Sequence, residues 1–114
     1  MARVAELANV ENIVGSAFDD ELLGDANNNT LTGRSGVDQF KFKDGFGSDT
    51  ITDFQDTGSG FEDVLNFSDS TLVNSFTDIT STAVASGNTV VTTTDGTITL
   101  LGVTSGVAVD DFVF

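Results

Sequence analysis

The chain has 114 residues, enough for one domain, and its apolar share of 39% allows one modest hydrophobic core. Eighteen Asp and Glu residues against four Lys and Arg residues give a net charge of −14, which repels nucleic acid and anionic lipid and attracts cations. Cys and His are both absent, which excludes structural zinc and Cys-His or Ser-His catalysis and leaves oxygen ligands, which suit calcium.

The N-terminal sequence MARVAELANV lacks the apolar run of a secretory signal peptide. No stretch approaches the roughly 18 apolar residues of a membrane span, so we expect no membrane insertion. A disordered acidic tail is the simplest alternative, but ten Phe residues and a regular apolar period argue against it.

The first half of the chain repeats with a period of nine residues. The three central copies each open with Gly, carry Asp or Asn at the sixth position and have a large apolar residue at the eighth. Three copies align without a gap: GSAFDDELL (15–23), GDANNNTLT (24–32) and GRSGVDQFK (33–41). The period extends upstream through ELANVENIV (6–14) and downstream through DGFGSDTIT (44–52), after the two inserted residues Phe42 and Lys43, and GSGFEDVLN (58–66).

Each copy ends in a polar, apolar, polar alternation that predicts a short strand with one inward side chain. The remaining residues predict a turn, in which Gly allows positive φ and close backbone approach. Because a unit this short cannot bury its apolar residue alone, the copies are expected to stack as a solenoid.

These residues resemble the pattern G-G-x-G-x-D-x-U-x of the RTX (repeats-in-toxin) calcium-binding repeats, where U is a large apolar residue. The resemblance covers residues 6–66 and implies an all-β, right-handed parallel β-roll in which two nonapeptides make one turn. Residues eighteen apart would then stack at about the spacing of neighbouring strands. Asp20 and Asp38 form such a pair, and so do Asn29 and Asp49 once the insertion is allowed for.

Paired carboxylates and turn carbonyls are the kind of oxygen ligands that calcium binds. We predict a first calcium site between turns 15–20 and 33–38. It would use the carboxylates of Asp20 and Asp38 and backbone oxygens around Gly15, Ala17, Gly33 and Ser35. A second site between turns 24–29 and 44–49 is poorer in charge and would use Gly24, Ala26, Asn29 and Asp49. A third site would join Asp49 or Asp63 to Asp53 and Asp56.

The chain departs from the family pattern at several positions. Ser16, Asp25 and Arg34 replace the second Gly, Phe18 and Asn27 replace the fourth residue, and Glu11 and Asn29 replace Asp. These losses predict fewer or weaker ions than an ideal run of repeats. The alternative for each acidic residue is a solvated turn position.

Adjacent acidic pairs would suit glycosidase chemistry only if they converged on one substrate. These pairs are Asp19-Asp20, Glu62-Asp63 and Asp110-Asp111. Because sequence neighbours on a turn rarely converge in this way, we expect the chain not to be an enzyme.

Residues 67–114 are expected to form a capping region continuous with the β-roll of residues 1–66. Phe67, Leu72, Val73, Phe76 and Ile79 are irregularly spaced and predict a short helix or a loop. The segment NTVVTTTDGTITLLGV then predicts an antiparallel hairpin, turned at Asp95-Gly96, that caps the roll. In the resembled family the C-terminal region carries an uncleaved type I export signal, so VDDFVF (109–114) implies the type I secretion machinery as a partner.

We therefore expect a non-catalytic calcium-binding module of a secreted, extracellular bacterial protein, linked covalently to an N-terminal parent domain and folding on calcium. One alternative is a polysaccharide-binding accessory module like those of alginate-modifying enzymes. Arg34, Lys41 and Lys43 are the candidates for its basic groove. The other alternative is a structural cap of a large adhesin.

Overall fold

The computed structural model describes residues 3–6, 12–24, 26–55, 63–104, 107 and 111–114. The first seven strands within these ranges are β1 (Arg3–Glu6), β2 (Asn12–Val14), β3 (Asp20–Leu23), β4 (Thr30–Thr32), β5 (Gln39–Lys41), β6 (Ser48–Ile51) and β7 (Val64–Asn66). A short 3₁₀-helix (Phe76–Asp78) precedes β8 (Ile79–Ala85), β9 (Asn88–Thr93), β10 (Thr97–Leu100) and β11 (Phe112–Val113). Among the residues so described, no helix is long and apolar enough to cross a bilayer.

Strands β1 to β7 alternate between two sheets. Sheet one has the order β1-β3-β5-β7-β11, and sheet two has the order β2-β4-β6-β10-β9-β8. All pairings in sheet one are parallel. Sheet two is parallel from β2 to β10 and antiparallel from β10 to β8. The predicted all-β class with parallel strands is therefore confirmed, while a right-handed β-roll stays a prediction.

The pairing register follows the sequence period. Leu22 lies opposite Phe40, a separation of 18 residues. Leu31 lies opposite Ile51, a separation of 20, so the two inserted residues Phe42 and Lys43 lengthen one coil without shifting its strand. The next coil of sheet one is longer again, because Phe40 lies opposite Leu65, a separation of 25.

The core lies between the two sheets and is built from the eighth residue of each repeat. These residues are at most 2% exposed: Ile13, Leu22, Leu31, Phe40, Ile51 and Leu65. In the three-residue strands β4 and β5 the middle side chain is buried and its polar neighbours are half-buried, as expected where successive side chains point to opposite faces. The stacked positions therefore form a continuous apolar column that no single repeat could bury.

A cluster of Phe rings fills the C-terminal end of this core. Phe42 packs on Phe46 and on Phe67, with ring centroids 5.0 and 5.3 Å apart, and Phe67 stacks on Phe112 at 6.3 Å. Phe42 is only 1% exposed, so the insertion adds a core residue. The cluster joins the repeats to the C-terminal strand β11.

The loop that follows the insertion is held by the Asp44 carboxylate. Its oxygens accept hydrogen bonds from the Ser70 hydroxyl at 2.9 Å and from the Thr71 and Leu72 amides at 2.8 and 3.0 Å. The Thr71 hydroxyl donates to the same carboxylate. These donors, the Thr71 hydroxyl first, lower the pKa of Asp44 to about 2. Asp44 therefore remains ionised at neutral pH and ties two loops together.

The predicted hairpin around Asp95-Gly96 is confirmed, because β9 and β10 pair antiparallel with Val91 opposite Ile98. It extends sheet two, however, because β10 pairs in parallel with β6. The strand β8 lies where a helix or loop was expected, and only the 3₁₀-helix before it fits that expectation. Its hairpin turns at Ser86 and Gly87, which have φ of 55° and 79°, and a Ser-Gly pair favours such a turn.

Candidate metal centre

Three stacked carboxylates form what we term the Asp ladder: Asp20, Asp38 and Asp63. The Asp20 amide donates to Oδ1 of Asp38 at 2.9 Å, and the Asp38 amide donates to Oδ1 of Asp63 at 2.8 Å. All three side chains are at most 2% exposed. The predicted pairing of Asp20 with Asp38 is therefore confirmed, and Asp63, assigned in the sequence to a weaker third site, is the next rung.

Carboxylates beside the ladder tie successive turns together. Asp53 accepts from the Gly33 and Arg34 amides at 2.9 and 2.7 Å. Asp19 accepts from the Val37 amide at 2.7 Å. We call this side of the coils, with turns 15–20 and 33–38, Asp53 and Asp63, the first edge. The predicted ligand positions Ala17 and Ser35 lie exposed in its two turns.

The first Gly of the three central repeats provides space for close approach, so that part of the expectation is confirmed, while the expectation of positive φ at these positions is wrong. Gly15, Gly24 and Gly33 do not have positive φ, whereas Gly36 does, at 94°. A Cβ atom on Gly15 would lie 2.5 Å from Oδ2 of Asp20 and 2.9 Å from the carbonyl oxygen of Gly33. Two oxygens from neighbouring coils therefore converge on the space that the absent side chain leaves.

We expect Gly15→Ala to destabilise the chain by about 1–3 kcal/mol, because the added methyl group would displace a carboxylate and a backbone carbonyl. The substitution should also lower the affinity for any cation bound between these oxygens. Urea unfolding and calcium calorimetry measure the two effects. The matched control is Gly45→Ala, which has φ of 79° and nothing within 4 Å of its Cβ position, so it should cost stability without changing cation affinity. Equal cation affinities in the two variants would contradict this expectation.

The oxygens of the first edge fit calcium in their chemistry. Asp38 is fully buried, and its Oδ2 atom, which lies beside Gly33, finds no hydrogen-bond donor among the described residues. The carboxylate of Asp20 has donors in Ser16, whose hydroxyl lies 2.9 Å from Oδ1 and whose amide donates to Oδ2. Within the described ranges, no three acidic side chains already form a metal-binding cluster. A cation would therefore draw on two carboxylates and turn carbonyls, which are suitable calcium ligands.

The ladder is electrostatically strained without a cation. Burial first, and then the neighbouring carboxylates of Asp63, Asp20 and Asp53, raise the pKa of Asp38 to about 7 against the lowering effect of the Asp20 amide. Burial is also the main cause that raises the pKa of Asp63 to about 6. Either protons or a cation would relieve this repulsion.

We expect the metal-free chain to lose stability as the pH rises from about 4 to 7. A raised pKa means that the folded state holds a proton over a range where the unfolded state has released it. Asp38 and Asp63 thus contribute their full stabilisation of the folded state below the pKa that they have in the unfolded chain. This stabilisation is lost above pH 7. Thermal unfolding in excess chelator at pH 5 and pH 8 measures this, and equal midpoints would contradict it. A saturating cation should remove most of the dependence.

The residues predicted for the second site also come together, on what we call the second edge (turns 24–29 and 42–49). The Asn29 amide donates to Oδ1 of Asp49 at 2.8 Å. A cavity of about 150 Å³ lies beside them. It is lined by Gly24, Ala26, Lys41, Phe42, Lys43, Asp44, Phe46 and Asp49. The predicted ligand residues Gly24, Ala26 and Asp49 therefore share their cavity with two lysines, a feature that spacing alone could not reveal.

Other residues highlighted in the sequence fall outside the description. Glu11, Asp25, Asp56, Glu62 and Asp110 lie outside the described residues. Asp111 is described and is 1% exposed.

Comparison with known proteins supports the architecture. No protein-family model matches the chain, and no curated protein sequence matches it. Among solved structures, it is similar to the extracellular lipase LipA from Serratia marcescens, at 20% sequence identity and a TM-score of 0.56. The match covers 98% of this chain and 19% of the lipase. At this identity the likeness shows the all-β fold, and the chain spans less than a fifth of the length of the lipase.

Proposed function

We propose that the chain is a non-catalytic calcium-binding module, a right-handed parallel β-roll, within a larger secreted protein. The observation that carries the proposal is the buried Asp ladder, in which Oδ2 of Asp38 has no described hydrogen-bond donor. Asp20 and Asp38 would supply the carboxylates, and the Gly33 carbonyl oxygen, which lies with Oδ2 of Asp20 beside Gly15, would supply a backbone ligand. Bound calcium would neutralise carboxylates that otherwise repel one another.

Calcium binding in this proposal is coupled to folding. The carboxylates and carbonyls come from turns about 18 residues apart, so the site exists only when the coils are stacked. Extracellular calcium modules bind at about 10⁻⁴–10⁻³ M. An ion at ten times its dissociation constant would stabilise the folded chain by about 1.4 kcal/mol. The chain would therefore fold where calcium is plentiful.

Secretion and a covalently linked N-terminal parent domain belong to the same proposal. The likeness to an extracellular lipase of which it matches 19% supports both. The C-terminal residues Phe112–Val113 form a strand parallel to β7, so the end of the chain is integrated into sheet one when folded. A type I secretion machinery would therefore have to read these residues before the chain folds.

A polysaccharide-binding module has less support. Arg34 lies in a turn of the first edge, whereas Lys41 and Lys43 line the cavity of the second edge. Lys41 is already paired with Asp69 at 3.0 Å. The three candidate cations therefore do not form one groove. Binding of alginate oligomers in calcium buffer would distinguish this alternative, while an adhesin cap would bind none.

Far-UV circular dichroism during calcium titration tests the proposal, with magnesium as the matched ion. We expect a calcium-selective rise in β-sheet signal from a partly folded chelated state, because magnesium demands a tighter octahedral site and sheds water reluctantly. Full β-sheet signal in excess chelator, with no change in thermal midpoint on adding calcium, would overturn it.

A further inference from the structure

Apart from the rungs of the Asp ladder, different carboxylates hold the two turns of the proposed calcium site. In turn 15–20, the Ser16 amide donates to the carboxylate of Asp20, which lies in the same turn. In turn 33–38, three backbone amides donate to carboxylates of the preceding and the following coil. Neighbouring coils therefore fix the second turn from outside.

Asp53 binds the start of this second turn with both of its carboxylate oxygens. Oδ1 accepts a hydrogen bond from the Gly33 amide at 2.9 Å, and Oδ2 accepts one from the Arg34 amide at 2.7 Å. Asp19 accepts one from the Val37 amide at 2.7 Å, near the end of the turn. The turn is therefore held at both ends, and Asp53 makes two of these three contacts.

The backbone of the turn has a conformation that most residues avoid. Arg34 has φ of 68°, at a position where the family pattern has Gly, and Gly36 has φ of 94°. A side chain in this left-handed region strains the backbone. The hydrogen bond from the Arg34 amide to Asp53 therefore stabilises the turn against relaxation to a more common conformation.

The same hydrogen bond fixes the direction of a proposed calcium ligand. The Arg34 amide and the Gly33 carbonyl belong to one planar trans peptide group, so their N–H and C=O bonds point in opposite directions. The N–H points to Oδ2 of Asp53, and the carbonyl oxygen lies beside Gly15, where Oδ2 of Asp20 also lies. Rotation of this peptide group would break the contact with Asp53 and turn the carbonyl oxygen away from the site.

We propose that Asp53 is the positioning residue of the calcium site and that it holds the Gly33 carbonyl oxygen toward the ion without binding the ion itself. Both of its oxygens already accept amide hydrogen bonds, which distinguishes this role from the ligand role predicted for it in a third site. The next residue, Phe54, is 6% exposed and packs on Phe40, which anchors Asp53 in its coil. The inference rests on the proposed calcium function.

Asp53→Asn tests this role, with Asp44→Asn as the matched control. Each substitution replaces a carboxylate that ties two loops together through backbone amides, but Asp44 lies on the second edge. Calorimetric calcium titration of the intact chain measures affinity, and urea unfolding in excess chelator measures the stability that each variant loses. After correction for that loss, we expect about ten-fold weaker binding in Asp53→Asn, the lower end of the effect of an outer partner of a metal ligand, and unchanged binding in Asp44→Asn.

The outcomes of this comparison are distinct. Equal corrected affinities in the two variants would overturn the inference alone. If the unsubstituted chain bound no calcium, the proposed function would fail and the inference with it. Asp53→Asn should still bind the same number of ions at saturation, and loss of an ion would make Asp53 a ligand, contrary to the proposal.

Carbon NMR of the unsubstituted chain tests the same role without a substitution. In the folded chain, calcium is exchanged for strontium, a larger divalent cation that also prefers oxygen ligands. The carbonyl carbon of Gly33 and the carboxyl carbon of Asp38 should shift, whereas the carboxyl carbon of Asp53 should not. A shift at Asp53 as large as that at Asp38, or no shift at Gly33, would overturn the proposal.

Discussion

Asp38→Asn should reverse its effect on stability when calcium is added. In excess chelator at pH 8, the variant should be about 1–2 kcal/mol more stable than the parent chain, because it removes a buried carboxylate that lacks a full set of partners. Its amide oxygen still accepts the Asp20 amide. In calcium, the parent gains stability and the variant does not, so their order should invert.

The loss of calcium affinity in Asp38→Asn should be at least about 100-fold, the upper end of what removing an outer-shell partner costs a metal site. Calorimetry and urea unfolding in matched buffers measure affinity and stability. Asp69→Asn is the control, because it removes an equal charge from an exposed position beside Lys41. If Asp38→Asn destabilises the chain equally with and without calcium, the residue serves only the packing of the turns.

Phe67→Ala should cost about 3–5 kcal/mol, the usual range for removing a buried aromatic ring. Phe67 is fully buried, and its ring lies 5.3 Å from Phe42 and 6.3 Å from Phe112, measured between ring centroids. Because the Phe67 ring joins the repeats to β11, its removal should expose apolar surface on both the repeats and β11. A domain of this size has a free energy of unfolding of about 5–15 kcal/mol, so the expected loss is a large part of the total.

Urea unfolding in millimolar calcium, followed by hydrogen exchange of the β11 amides, measures the effect of Phe67→Ala. Phe18→Ala is the matched control, because its ring is 57% exposed and should contribute less than about 0.5 kcal/mol. A loss below about 1 kcal/mol in Phe67→Ala would mean that the C-terminal strand is not part of the cooperative core.

The sequence period predicted the strands of the repeats and the stacking of Asp20 with Asp38, because strand alternation and solenoid stacking both act through fixed spacing. It did not predict that Asp63 lies next to Asp38. The coil between these two residues is longer than the others, so the regular spacing did not pair them. The spacing of the repeats also did not predict which charged residues line the second edge. Lys43 entered the prediction as part of an insertion and as a candidate for a basic groove, and the folded chain places it in the lining of the same cavity as Asp49.

The C-terminal third was harder to predict for a different reason. The strand β8 has no period to follow, and its pairing with β9 depends on a turn at Ser86-Gly87. Strands β10 and β11 each pair with a strand about 50 residues earlier, as in Thr99 with Thr50 and Phe112 with Leu65. Such long-range pairing depends on which sheet edge is available, and the β-propensity of the local sequence does not predict it.

The alternation of strands between two sheets also determines which changes in length the chain tolerates. Adding or deleting 18 residues inserts or removes one whole coil, since Leu22 and Phe40 already stand in that relation. A change of nine residues preserves every strand and turn locally but moves each later strand into the opposite sheet. The carboxylates of one edge would then face the lysine-lined cavity of the other. Duplication in this protein should therefore proceed by pairs of repeats. Adding or deleting a single repeat should disrupt the pairing of every later strand.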